Sequence, residues 1–146
     1  MNLNRQRGTS LIEVLIAVLV TATGVMGAAA LQLNAVKFNQ VANFRSHAVF
    51  LANDITDRMR ANRANATAGN YDIAVDADAP SGDGIVDVDR REWLQELAQR
   101  LPGGDGAISR NGNEITVTVQ WDEGRLAKSR LAGGGNIESF VFVTVF

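Results

Sequence analysis

The chain predicts an α+β fold: a long N-terminal helix, membrane-spanning in its first half and amphipathic in its second, packed against an antiparallel sheet. Three observations predict it. Residues 14–33 carry no charge and only Gln32 as a strongly polar side chain, close to the roughly 20 residues a helix needs to cross the hydrocarbon. Further on, Val41, Phe44, Ala48, Leu51, Ile55 and Met59 recur at spacings of three and four, which marks a helix with one buried stripe. Alternating segments then flank Asn111-Gly112 and end at Phe146, as the strands of a hairpin and sheet do. Helix first and strands later is the pattern of an α+β arrangement.

The anchor comes first. Residues 1–8 read MNLNRQRG, a polar leader with Arg5 and Arg7 as its charged side chains. Arginines before the apolar run and none directly after it put the leader in the cytoplasm and the rest of the chain across the membrane. Glu13 stands at the edge of that run, behind Leu11 and Ile12. A carboxylate carried to the bilayer centre costs on the order of 3 kcal/mol, so an ionisable group here calls for a function and a partner.

Three plainer readings stand beside that one. Ser10-Leu11-Ile12-Glu13 matches the S-x-x-E capping box, in which both side chains satisfy free N–H groups at a helix start. Ala28-Ala29-Ala30 fits the small-x-small pattern of an ordinary signal peptide. That reading leaves a secreted or periplasmic binding domain cut near Ala30. A single-pass anchor without processing is the third.

The string from Arg7 to Leu15, RGTSLIEVL, resembles the class III (prepilin) signal of the type IV pilin-like superfamily. The resemblance implies cleavage after Gly8 by a prepilin peptidase, methylation of the new terminus at Thr9, and a subunit-assembly role for Glu13. In that family the glutamate is thought to pair with a neighbour's N-terminal amine, which supplies the partner its position demands. Two opposite charges leaving water together favour association in register. The chain departs from the commonest pilin pattern in three ways: Thr9 replaces the usual phenylalanine, no proline interrupts the helix, and no cysteine is present for a C-terminal disulfide loop.

Residues 51–63 (LANDITDRMRANR) resemble the helix end of PilV-type minor pilins, and residues 93–103 with Trp121 continue the likeness. Residues 64–83 resemble no named pattern. The resemblance implies a minor type IV pilin, a structural subunit that helps initiate or modify pilus assembly. Its implied partners are other major and minor pilins, the prepilin peptidase, the inner-membrane assembly platform and membrane lipid. Its implied location is the inner membrane with a periplasmic head, then the pilus. A type II secretion pseudopilin, which uses the same N-terminal physics, is the near alternative.

The expected organisation is therefore a leader at 1–8, a membrane or filament-core helix at 9–33, an amphipathic continuation at 34–63 and an extracytoplasmic head at 64–146. The polar face of the amphipathic part carries Asn43, His47, Asp54, Asp57 and Arg58, with Asp54 and Arg58 spaced for an i,i+4 ion pair. The helix should fade over residues 62–69, where Ala, Asn and Gly dominate. Residues 71–75 alternate like a strand, and an Asp-, Gly- and Pro-rich loop follows through Gly84. Asp89, with Glu92 three residues later, reads as the N-cap of a short helix carrying Trp93, Leu94, Leu97 and Leu101, stopped by Pro102-Gly103.

Asn111-Gly112 predicts a two-residue hairpin between residues 107–110 and 115–121, with Ile115, Val117, Val119 and Trp121 facing the core. Residues 137–146 are apolar on both alternations apart from Glu138, Ser139 and Thr144, which reads as a buried strand. Gly133-Gly134-Gly135 reads as a connector before it.

No cofactor and no catalytic set is expected. The net charge of −2 with scattered Lys and Arg gives no footprint for nucleic acid. With no cysteine, no thiolate metal site exists. Asp83 and Asp87 are weak metal candidates in an acidic stretch with Asp76, Asp78 and Asp89. A calcium-loop register built on Gly84 fails, because its first and last ligand positions fall on Ala79 and Arg90. His47 lies on a polar helix face with no serine elbow to serve.

Overall fold

The computed structural model describes residues 10–124 and 137–146. Three helices, α1 (Leu11–Ala61), α2 (Arg63–Thr67) and α3 (Ile85–Arg100), precede three strands, β1 (Asp105–Asn111), β2 (Glu114–Asp122) and β3 (Ile137–Val145). The chain divides between Asn39 and Gln40 into two units.

The described part of the first unit is helix alone. Its large apolar side chains from Leu11 to Phe38 are between 50% and 86% exposed. Its threonines turn inward on the backbone, Thr21 Oγ1 donating to the Ala17 carbonyl at 2.7 Å and Thr23 Oγ1 to that of Val20 at 2.9 Å. Hydroxyls that return to the helix backbone in this way add little polar surface to the apolar stretch around them. Among the described residues, α1 is the one helix long and apolar enough to cross a membrane.

The second unit has a true core. From α1 it takes Ala48, Leu51, Ala52, Ile55, Thr56 and Met59, from α3 Trp93 and Leu97, and from the sheet Ile108, Ile115, Val117, Val119 and Trp121. From Ala48 to Met59 the stripe read from spacing is the buried face, with Ala52 and Thr56 added where a small residue lets the packing close, while Val41 and Phe44 at its start are half-buried. Trp93 also ties α3 to α1 by a hydrogen bond: its Nε1 donates to the Leu51 carbonyl at 3.0 Å. Gly106 in β1 lies directly under the Trp93 ring and Leu97, where a Cβ would collide. The strand can approach α3 only because that side chain is missing.

The sheet is a meander of order β1-β2-β3, antiparallel throughout. Val117 lies opposite Ile108 on one side and Phe142 on the other, so one face is apolar across all three strands. That face meets the core. The hairpin forms one residue later than expected: Asn111 pairs with Glu114, and Gly112-Asn113 make the turn. Gly112 has φ 63 while Asn113 has no positive φ, the pattern of a type II′ turn with glycine first.

Four further expectations change. Residues 71–75 form no strand; Ile73 makes an isolated bridge to Ile108, two N–H···O bonds of 2.9 Å. Asn62 to Gly69 is not loop alone, because α2 fits within it. The next helix does not start at Asp89. It starts at Ile85 with Gly84 as N-cap and no side-chain cap, directly after the loop that glycine was expected to end. Finally, β3 is an edge strand rather than a buried one, with every second residue from Ile137 to Val145 exposed. Apolar alternations on both faces signal burial only where two layers sandwich the sheet, and the described residues form one such layer. The triple glycine at 133–135 lies outside the described residues.

Candidate functional site

Two places gather the polar chemistry. The first is the start of α1. Gly8 and Thr9 lie outside the described residues, whereas Glu13 is in the first turn of the helix and exposed. Its backbone N–H donates to Ser10 Oγ at 3.3 Å and to the Ser10 carbonyl at 3.0 Å. The hydroxyl half of the capping box is therefore present. Glu13 shares one exposed face of α1 with Val14, Ala17, Val18, Thr21 and Ala22. A carboxylate in the first turn is favoured by the helix dipole, and here it borders an apolar, small-residued surface.

The second place is a polar knot in the head that the sequence did not reveal. Arg58 donates to Asp54 at 3.1 Å, Asp89 at 3.4 Å and Glu92 at 2.7 Å. The i,i+4 pair with Asp54 was legible from spacing. The other two reach across to α3. Asp89, 7% exposed, also accepts a 2.6 Å bond from Tyr71 Oη, and Tyr71 accepts in turn from Asn62 Nδ2 at 3.2 Å. Burial pushes the Tyr71 phenol up to about 12, and donation to Asp89 adds to the shift. The Glu92 hydrogen bond heads the causes that raise Arg58 further above its ordinary value. Asp89 matched a cap signature, but its place in mid-helix turns it inward to tie α1, α3 and the segment after α2 together.

Of the two metal candidates, Asp87 is engaged elsewhere. Asp87 accepts from Arg90 Nη2 at 2.6 Å, and Arg91 holds the carbonyls of Pro80 and Gly82 at 3.0 and 2.8 Å. Among the described residues no group of three or more His, Cys, Asp or Glu could hold a metal ion. The arginines of α3 thus fasten the acidic loop to the head.

A membrane-length apolar helix with a carboxylate in its first turn continues into the core helix of an α+β head, an arrangement that fits a membrane-anchored structural subunit. A family model described as Tt1218-like, type IV pilin Tt1218, matches residues 30–83. The match supports the type IV pilin-like superfamily, a structural family whose members assemble with other pilins. It covers less than half of the 146 residues. It includes residues 64–83, which resembled nothing in the sequence reading, and leaves out the N-terminal signature. No curated protein and no solved structure matched the chain.

Proposed function

We propose that the chain is a minor type IV pilin of the PilV type. It is made as a prepilin with a class III signal, cut after Gly8 by a prepilin peptidase, methylated at Thr9, and held in the inner membrane with a periplasmic head until it joins a pilus. Residues 9–33 span the membrane and later the filament core, and 34–63 continue as the amphipathic helix under the head at 64–146. The chain acts as a non-catalytic structural subunit that helps initiate or modify assembly, through other pilins and the inner-membrane platform.

The observation that carries this reading is Glu13. It is a carboxylate in the first turn of a helix whose next large apolar side chains are exposed. In hydrocarbon it would be costly alone and tolerable beside a cation. The Thr9 amine of a neighbouring subunit is a cation of the right kind, and pairing with it would set the axial register of the two helices. The helix runs unbroken past Ala30, which argues against the signal-peptide alternative, since cleavage there would sever a continuous element.

Replacing Glu13 with Ala should leave cleavage normal and reduce incorporation into filaments, measured by quantifying the chain in sheared pili against membranes. Wild-type incorporation would sink the pairing role. A deletion strain separates the two settings: loss of twitching motility supports a pilus, while loss of protein secretion points to a pseudopilin.

A further inference from the structure

The asparagines of the head differ in what holds them. Asn65 Nδ2 donates to Asn62 Oδ1 and Asn70 Nδ2 to Asn65 Oδ1, both at 2.8 Å. Asn53 Nδ2 returns to the Val49 carbonyl, also at 2.8 Å. Asn111, at the end of β1, is exposed, and among the described residues its side-chain amide has no hydrogen-bond partner. The residue after it is Gly112, the first of the hairpin turn, with φ 63. Among the described residues the Gly112 N–H has no acceptor, and a Cβ placed on this glycine would meet nothing within 4 Å. An amide carbon and a solvent-facing backbone nitrogen thus stand side by side with no side chain to separate them.

We propose that Asn111 is a self-modification site, at which the Gly112 backbone nitrogen attacks the Asn111 side-chain amide. Solvent base takes the proton from the Gly112 nitrogen. The nitrogen then bonds to Asn111 Cγ, the bond from Cγ to Nδ2 breaks, and ammonia leaves as a cyclic imide closes. Water opens the imide at either carbonyl, giving aspartate or, with the main chain rerouted through the side-chain carbon, isoaspartate. The balance is one amide and one water to one acid and one ammonia.

A second small-residue step in the same sheet shows what protection looks like. Asp105 also precedes a glycine, but its Oδ1 accepts from the Gly106 N–H at 2.7 Å and its Oδ2 from the Asp76 N–H at 2.6 Å. Gly106 is also wedged beneath Trp93 and Leu97. Its nitrogen is neither free nor able to move, whereas the hairpin tip is both.

The product falls where the sheet can feel it. Asn111 lies opposite Glu114, which in turn lies opposite Val145, and the Asn113 carbonyl accepts from the Phe146 N–H at 3.0 Å. An aspartate at 111 sets two carboxylates directly across the ladder, an unfavourable cross-strand pair. An isoaspartate adds a carbon to the main chain and puts β1 and β2 out of step at this end. Either product adds one negative charge to a chain of formal net charge −2. The head therefore ages from its tip, whether or not the anchor is processed.

The test is to hold the folded, full-length chain in detergent in mildly alkaline heavy-oxygen water, digest it at acid pH and map the peptides by mass spectrometry. Asn111 should become a mixture of isoaspartate and aspartate carrying one heavy oxygen, faster than in neutral buffer, while Asn53, Asn62, Asn65 and Asn70 keep their amides. Asn111→Gln, whose longer side chain closes the ring poorly, should lose the change at this position. An Asn111 that keeps its amide in the folded chain and converts only after unfolding in urea would mean that the hairpin protects it, and overturns the proposal. Aspartate formed without isoaspartate overturns the imide route.

Discussion

Leu31 and Leu51 are the same residue in the same helix, yet one is 73% exposed and the other 1%. The difference lies in what surrounds them. The second unit brings its own cover to α1, in Trp93, Leu97 and the inner face of the sheet. In the first unit the apolar side chains from Leu11 to Leu31 stay exposed among the described residues, a surface suited to an external apolar medium, lipid or other helices. Burying a side chain of this size is worth about 1.5–3 kcal/mol. An unbroken row of unburied ones is accordingly a statement about environment rather than about stability.

If the two regions are independent in this sense, each should break without the other. The largest effect belongs to Trp93→Ala, which removes the ring over Gly106 and the bond to Leu51. It should destabilise the head by about 3–5 kcal/mol, seen as a lower melting transition in near-ultraviolet circular dichroism of the detergent-solubilised chain, with membrane retention unchanged. Next is Val18→Lys, whose burden in the apolar segment is about 3 kcal/mol of insertion free energy. It should move the chain out of the membrane fraction while leaving the head transition where it was. If either variant shifts both readouts, the division is not as sharp as drawn.

The smallest effect sharpens the picture of the head. Tyr71→Phe should cost about 1 kcal/mol, the net worth of a hydrogen bond. Its pH signature is more informative. The fold raises the Tyr71 pKa from 10.0 to about 12, so folding favours the neutral phenol. That contribution is fully present below pH 10 and is lost as pH rises from 10 through 12. The wild-type head should lose stability across that alkaline window, and the Phe variant should lose less over the same range.

The sequence disclosed most where a period was long and unopposed. Six residues from Val41 to Met59 repeat at helical spacing, and no other element can use that pattern, so α1 and its inward face followed directly. The β1–β2 hairpin was equally plain, although the turn sits one residue beyond the Asn-Gly pair because glycine supplies the positive φ that the first turn position needs. Signals of one or two residues misled. Asp89 with Glu92 looks the same as a cap or as a mid-helix pair, and only contact with Tyr71 and Arg58, brought from other elements, decides which it is. The apolar run at β3 specified a strand but not its neighbours, since burial depends on layers the strand itself does not encode. At the candidate site, Glu13 was legible because a charge beside a long apolar run is conspicuous. The Arg58 knot was not, because its members are 31 and 34 residues apart in sequence.

The most direct test of the account is the intact mass and N-terminal sequence of the chain extracted from membranes of cells that carry a prepilin peptidase. A terminus at Thr9, with the mass of one added methyl group, is the predicted result. A terminus at Leu31 or Met1 would contradict it, making the apolar segment a signal peptide or a plain anchor and removing the role assigned to Glu13.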